Sequence, residues 1–305
     1  RDILLYNPDK KSYATLTSDA KSNFKITSER YSAAPLTELH PFGSETSAKR
    51  FLMASRKTRQ VMLSSFSKNG NISSVASIKF NGYPASIDVA DTDGDGKPEG
   101  LVSGKALDGL YILKGKRNSL EKIKIEKNKN FLWSGFVDLD YDSFPDIAAV
   151  DQLSNSVIFY DNDLSGGFTM SRSIALTGEV TSCRTADFNS DGFTDLVLVQ
   201  NNHFEILLGD SVSSFKSKTV LETPVVPDKY EILDFNGDGF NDIAYINLQA
   251  GELYISFSKS GDKFYPPILY LKKNNLVSLS ASIDRAGKKI AALTADGQIF
   301  LINTI

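Results

Sequence analysis

An all-β chain of repeated four-stranded units is what the sequence predicts, and three observations predict it. An acidic motif, D-x-[DN]-x-D-x-x-x-[DE] followed by apolar residues, occurs four times: DTDGDGKPEGLVSG (91–104), DLDYDSFPDIAAVD (138–151), DFNSDGFTDLVLVQ (187–200) and DFNGDGFNDIAYIN (234–247). The starting aspartates Asp91, Asp138, Asp187 and Asp234 stand 47, 49 and 47 residues apart, and a fixed period in this range marks a repeat architecture. No long stretch keeps a 3.6-residue apolar spacing, whereas short apolar runs alternate with Gly, Asn, Asp and Ser turns throughout.

The elements follow from that register. The ninth residue of each motif, Glu99, Asp146, Asp195 or Asp242, also opens a short β-type run. Steps of about 48 residues from these reach Ile290 in KKIAALT, Phe51 in RFLMAS and Asp2 in RDILLYN, so seven strand starts tile the chain. About 22 residues after each start a large apolar residue is expected to open a further strand: Phe24, Ile72, Leu120, Phe168, Phe215 and Phe264. Within a unit the order is an inner strand before the acidic loop (IDVAD, FVDLD, CRTAD, YEILD), the loop, a second strand such as DIAYI, a third such as GELYISF, and an outer strand such as KFYPPILYL.

Four-stranded units repeated about seven times suit a seven-bladed β-propeller, in which each blade buries both faces against its neighbours. A β-solenoid is the competing architecture, but its coils are usually much shorter. One propeller domain is expected over 1–305, with terminal blades incomplete: the first unit lacks its inner strand and the last its outer strand. The missing inner strand predicts a natural chain that extends before Arg1, and RDILLYN shows no signal-peptide order.

Bulk properties narrow the function. The 305 residues are 41% apolar and 23% charged, with mean hydropathy −0.20 and no apolar run long enough to span a membrane as a helix. A net charge of −3 gives no electrostatic footprint for nucleic acid. Cys183 is the single cysteine, which excludes an internal disulfide, a cysteine zinc site and a CxxC redox pair.

Three or four carboxylates within nine residues repel one another by roughly 1 to 4 kcal/mol per close pair. Hard oxygen donors at alternate positions around a small or glycine turn form the pattern that wraps Ca²⁺, whereas Mg²⁺ takes fewer protein ligands and more water. The candidate ligands are Asp91, Asp93, Asp95 and Glu99 with the Lys97 carbonyl; Asp138, Asp140, Asp142 and Asp146 with the Phe144 carbonyl; Asp187, Asn189, Asp191 and Asp195 with Phe193; and Asp234, Asn236, Asp238 and Asp242 with Phe240. Up to four structural Ca²⁺ ions are expected. The alternative is a set of Asx turns capped by their own side chains. In an EF-hand the last acid stands at position twelve and a helix follows; here it stands at nine and a strand follows. The loop at Asp138 is the weakest by turn geometry, because Ser143 replaces the position-six glycine.

These loops resemble those of the FG-GAP/VCBS repeat family, the Ca²⁺-loop propellers that include the integrin α-subunit head and several lectins. The resemblance is strongest over 83–270 and implies a seven-bladed propeller with Ca²⁺ between the first and second strands of a blade. It also implies an extracellular binding module. The stretches around Ser44–Arg50 and SIDRAGKKI (282–290) lack the acidic set, so no metal is assigned to them.

Catalysis has little to draw on. His203 in QNNHFEILL reads as a turn or strand-edge residue, His40 in ELHPFG as a loop residue, and Cys183 as a small core residue. The loops opposite the acidic ones carry Tyr83, Phe131, Trp133 and Tyr230, which near polar turns could contact a sugar or a protein; the competing reading packs them between blades. Two functions stay open, a non-catalytic module engaging a protein or glycan partner and a propeller enzyme or enzyme-associated domain acting on polysaccharide. Ca²⁺ sites of extracellular modules bind at ~10⁻⁴ to 10⁻³ M, so an exported location is expected.

Overall fold

The computed structural model describes residues 2–7, 12–18, 24–26, 30–32, 35–43, 50–66, 72–284 and 287–303. Among these every regular element is a β-strand, all pairing is antiparallel, and no helix is long and apolar enough to cross a membrane. The strands form seven sheets, the blade number expected from the repeat. Contacts divide the chain into two units, Arg1–Thr177 and Gly178–Ile305.

The first unit holds four sheets. In the first, Asp2–Asn7 pairs with Ser12–Ser18, whose far edge is shared by Phe24–Ile26 and Arg30–Tyr31. By spacing, Asp2–Asn7 corresponds to a second strand, and no inner strand stands beside it among the described residues. The second sheet runs Glu38–Pro41, Arg50–Ser55, Gln60–Phe66 and Ile72–Lys79. The third runs Ser86–Ala90, Glu99–Ser103, Tyr111–Lys116 and Ser119–Lys124. The fourth runs Phe131–Val137, Asp146–Asp151, Ser156–Asn162 and Phe168–Ala175.

The second unit holds three sheets. The fifth runs Ser182–Ala186, Asp195–Gln200, His203–Leu208 and Ser217–Glu222. The sixth runs Lys229–Leu233, Asp242–Asn247, Glu252–Ser256 and Ile268–Lys272. The seventh has Leu276–Asp284, Gly287–Thr294 and Ile299–Asn303, and its outer position is empty among the described residues.

The second strands explain the apolar runs that follow each acidic loop. EGLVS, DIAAVD, DLVLVQ and DIAYIN are buried at every position, the pattern of a central strand covered on both faces. Side-chain alternation sorts them: Val102 joins Leu52, Leu63 and Leu113 on one face, while Leu101 joins Ile112, Ile147 and Ile158 on the other. In the second unit Ile243 and Tyr245 pack with Val197 and Ile206, and Ala244 and Ile246 with Ile290 and Ala292. Each fully buried side chain of this size contributes about 1.5–3 kcal/mol.

Three placements differ from the sequence expectation. The outer strands of the fifth and sixth sheets start at Ser217 and Ile268, not at Phe215 and Phe264. Phe215 is buried in the preceding turn at φ 51°, and Phe264 packs on Phe188 with ring centroids 5.4 Å apart. Phe215 is held by burial of its ring, whereas Phe264 combines ring packing with an isolated antiparallel bridge to Ser258 ahead of the outer strand. His40 lies on the inner strand Glu38–Pro41 instead of a loop, with its Nε2 3.1 Å from Glu38 Oε2.

Candidate metal centres

Each acidic motif forms the connection between the inner and second strands of its sheet, and the four connections share one hydrogen-bond lattice. The carboxylate at position one accepts the amide of position six: Gly96 to Asp91, Ser143 to Asp138, Gly192 to Asp187 and Gly239 to Asp234, at 2.8–3.1 Å. The side-chain oxygen at position three accepts the amide of position five, from Asp95, Asp142, Asp191 and Asp238 to Asp93, Asp140, Asn189 and Asn236. Position five in turn accepts the amide of position seven, Lys97, Phe144, Phe193 or Phe240, at 2.8–2.9 Å.

Position nine closes the loop. Glu99, Asp146, Asp195 and Asp242 accept the amide of position two, from Thr92, Leu139, Phe188 and Phe235, at 2.7–3.0 Å. The other oxygen of the three aspartates takes an amide from the end of the third strand or just beyond it: Asn162 at 2.8 Å, Gly209 at 2.7 Å and Ser258 at 2.7 Å. These acids are buried, and burial first, then a nearby carboxylate (Asp140, Asp191 or Asp238), pushes Asp146, Asp195 and Asp242 up to about 6. Burial likewise raises Glu99.

Each loop turns through two left-handed residues, at positions four and six. They are Gly94 and Gly96, Tyr141 and Ser143, Ser190 and Gly192, and Gly237 and Gly239, with φ between 60° and 94°. The sequence pattern exposed only position six. Ser143 keeps the turn at φ 74° and still donates to Asp138, so the loop expected to be weakest has the same lattice as the others. A non-glycine residue there is strained by about 1–2 kcal/mol.

Two sets of three carboxylates have ligand atoms within 4.8 Å of one another, Asp91 with Asp93 and Glu99, and Asp138 with Asp140 and Asp146. Loops 187–195 and 234–242 replace one of these acids by Asn189 and Asn236, whose amides donate to Asp191 and Asp238 at 2.8 and 2.9 Å. In the Asp138 loop one oxygen, Asp138 Oδ1, is buried and has no hydrogen-bond partner among the described residues. A buried carboxylate oxygen without a donor is costly, and a cation among Asp138, Asp140 and Asp146 would satisfy it. The donor set, hard oxygens alone, fits Ca²⁺.

Lysines reach two of the loops. Lys114 Nζ lies 2.9 Å from Asp93 Oδ2, and Lys288 Nζ lies 2.8 Å from Asp234 Oδ2. Burial works to raise Asp234, but Lys288 and the Gly237 and Gly239 amides outweigh it and hold that carboxyl below its usual range. Neither lysine has a local sequence signal: 21 residues separate Lys114 from Asp93, and Lys288 comes from the seventh sheet.

The aromatic residues assigned to a ligand face separate into two groups. Phe131 and Tyr230 are 0% and 3% exposed and sit in the cores between sheets, which removes them from any binding surface. Tyr230 packs edge-on to Phe204 at 5.2 Å, since a large ring on an inner strand is drawn into the adjacent sheet. Tyr83 is 38% exposed, and its hydroxyl accepts from Arg59 at 2.9 Å while that guanidinium lies over the ring. Trp133 is half-buried, with its ring over Gly135. Cys183 is buried, and burial pushes its thiol up, which makes it a packing residue.

The sequence model of the FG-GAP-like repeat matches residues 138–227, the stretch that contains the second and third acidic loops. No curated protein sequence matches the chain. Among solved structures it is similar to dihydro-heme d1 dehydrogenase NirN in complex with DHE, with TM-score 0.68 and 13% identity over 98% of this chain. The chain spans 60% of the length of that protein. It is also similar to BBS1N in complex with ARL6DN, soaked with lead, with TM-score 0.61 and 12% identity over 100% of this chain and 92% of that one. At these identities the likeness concerns the fold. The chain is thus a seven-bladed β-propeller in which residues 138–227 match the FG-GAP-like repeat.

Proposed function

We propose that the protein is a non-catalytic binding or scaffold module, stabilised by Ca²⁺ in its acidic loops and engaging a protein or glycan partner outside the cytosol. The observation that carries the metal reading is Asp138 Oδ1, buried without a donor among the described residues and beside Asp140 and Asp146. In this reading the side-chain oxygens at positions one, three, five and nine and the position-seven carbonyls face the ion. The ion supplies the positive charge that these clusters lack. The fold supports the module reading, because the repeat places a similar loop on successive sheets and leaves the rest of each sheet to packing. An exported location is part of the proposal, on the ground that Ca²⁺ loops of extracellular modules saturate at ~10⁻⁴ to 10⁻³ M Ca²⁺. The surface residues offered to a partner are Tyr83 and Trp133.

Equilibrium dialysis against Ca²⁺ tests the reading. Saturable uptake with Kd near 0.1–1 mM, reduced in Asp138→Ala, is expected. No uptake up to 10 mM would overturn the metal site, and a submicromolar Kd would remove the case for export. A glycan and protein array run with product analysis tests the module reading: retention of an unaltered ligand supports it, and bond cleavage opposes it.

A further inference from the structure

The chain carries a net charge of −3, yet one part of it is strongly basic. In the third sheet the acidic loop 91–99 joins the inner to the second strand at one end, and antiparallel pairing puts the connections 104–110 and 125–130 at the other. The turn 56–59 of the second sheet, and the segment 79–83 that leads from the second sheet to the third, meet these connections. Segments 56–59, 79–83, 104–109 and 122–130 together hold nine lysines and arginines against two acids, Asp108 and Glu126.

Hydrogen bonds and ring contacts make these segments one surface. Arg59 donates from Nη1 to the Asn81 carbonyl at 3.0 Å and from Nη2 to the Tyr83 hydroxyl at 2.9 Å, with its guanidinium 4.6 Å from the Tyr83 ring centroid. The Tyr83 amide donates to the Lys105 carbonyl at 2.9 Å, and a Cβ added at Gly109 would meet the Lys127 Cα at 3.2 Å. Lys122 and Lys124 bring their Nζ atoms to 5.4 and 5.6 Å from the centroid of the same Tyr111 ring, whose π-electrons attract both. Lys124 and Lys129 have carboxylate partners, Asp108 at 2.7 Å and Asp151 at 3.4 Å. Arg56, Lys57, Lys105, Lys122 and Lys127 form no ion pair among the described residues, and all five are exposed. Unmatched cations crowded on one surface repel each other and draw in an anionic partner.

The chemistry of the surface selects among anions. Protein interfaces are depleted in lysine at their centre and enriched in apolar anchors, whereas the exposed large apolar side chains of these four segments are Tyr83 and Ile123 alone. A run of bases needs several free rings to stack on, and Arg59 already covers one face of Tyr83. A polysaccharide asks for neither, and spaced anionic groups along it match spaced lysine point charges. We propose, resting on the reading of the protein as a partner-binding module, that this end of the second and third sheets binds an acidic polysaccharide through its sulfate or carboxylate groups.

Titration of the full chain with dextran sulfate, polygalacturonate and uncharged dextran tests this. Binding of one or both acidic polymers, weakening as salt rises, with none of dextran, is expected; the polymer that binds tells sulfate from carboxylate. The triple variant Arg56→Gln/Lys105→Gln/Lys127→Gln should bind about tenfold more weakly and with a shallower salt dependence. Lys216→Gln/Lys229→Gln/Lys263→Gln removes the same charge from exposed positions of other sheets and should bind as the parent does. Equal loss in both triple variants, or binding of neither acidic polymer, would overturn the inference. Equally tight binding of polyglutamate or single-stranded DNA would overturn the polysaccharide assignment. The module reading is measured separately on the glycan and protein array, where retention of a neutral glycan or a protein would leave it standing and a blank array would overturn it as well.

Discussion

The Asp195 carboxylate accepts the Phe188 amide at 2.7 Å, so the last residue of the loop clips its second and the strand Asp195–Gln200 starts from that clip. The same oxygen pair takes the Gly209 amide at 2.7 Å, which ties the loop to the connection beyond the third strand. One buried side chain thus joins three segments of a blade.

Asp195→Ala should leave those two amides without their acceptor. Each buried unsatisfied donor costs about 1–3 kcal/mol, so a loss of about 2–6 kcal/mol is expected in urea unfolding. A loss under about 0.5 kcal/mol would show that water or a neighbouring oxygen replaces the carboxylate.

Ser143 sits at φ 74°, where glycine is relaxed and serine is strained. Ser143→Gly should therefore stabilise the protein, by up to about 1 kcal/mol. The reverse change at an equivalent site, Gly192→Ala at φ 88°, should destabilise it, and nothing lies within 4 Å of the added methyl to confuse strain with a clash. Equal melting points for Ser143→Gly and the parent would mean that the serine makes a compensating contact.

Much of this was legible in the sequence because one residue performs two tasks. The ninth loop residue closes the lattice and opens the second strand, so the motif itself marks the starts at Glu99, Asp146, Asp195 and Asp242 to the residue. Phe215 and Phe264 misled because large apolar residues anchor turns as well as strands. Phe131 and Tyr230 were misplaced because flanking polar residues do not reveal which way an inner-strand ring points. Lys114 and Lys288 were invisible, since their meaning arises only when strand pairing and sheet stacking bring them to Asp93 and Asp234.

Without metal, stability should fall as pH rises. Asp146, Asp195 and Asp242 titrate at about 6 when folded, against an ordinary value of 3.8. The folded chain therefore binds more protons between those values, and the stability these groups contribute is lost as pH rises through 6. The melting temperature of chelator-stripped protein should increase from pH 7.5 to 5.5. Saturating Ca²⁺ should reverse the slope, because protons then compete with the ion. A metal-free melting point that drops on acidification over this range would contradict the burial of these carboxyls.

One propeller domain across 1–305 should unfold in a single calorimetric transition. Cys183, 2% exposed, should stay unreactive to a thiol reagent until that same transition. Two resolved transitions, with Cys183 labelling tracking only one, would show that Arg1–Thr177 and Gly178–Ile305 unfold separately.

The most direct test of the metal loops is the melting temperature of the metal-free chain against the same chain in millimolar Ca²⁺, with Mg²⁺ as control. At tenfold above Kd each site adds about 1.4 kcal/mol, so two sites together should add about 3 kcal/mol and several degrees. The rise should appear with Ca²⁺, be smaller in Asp138→Ala, and be absent with Mg²⁺. An unchanged melting point, or equal protection by Mg²⁺, would show that these loops are Asx turns capped by their own side chains.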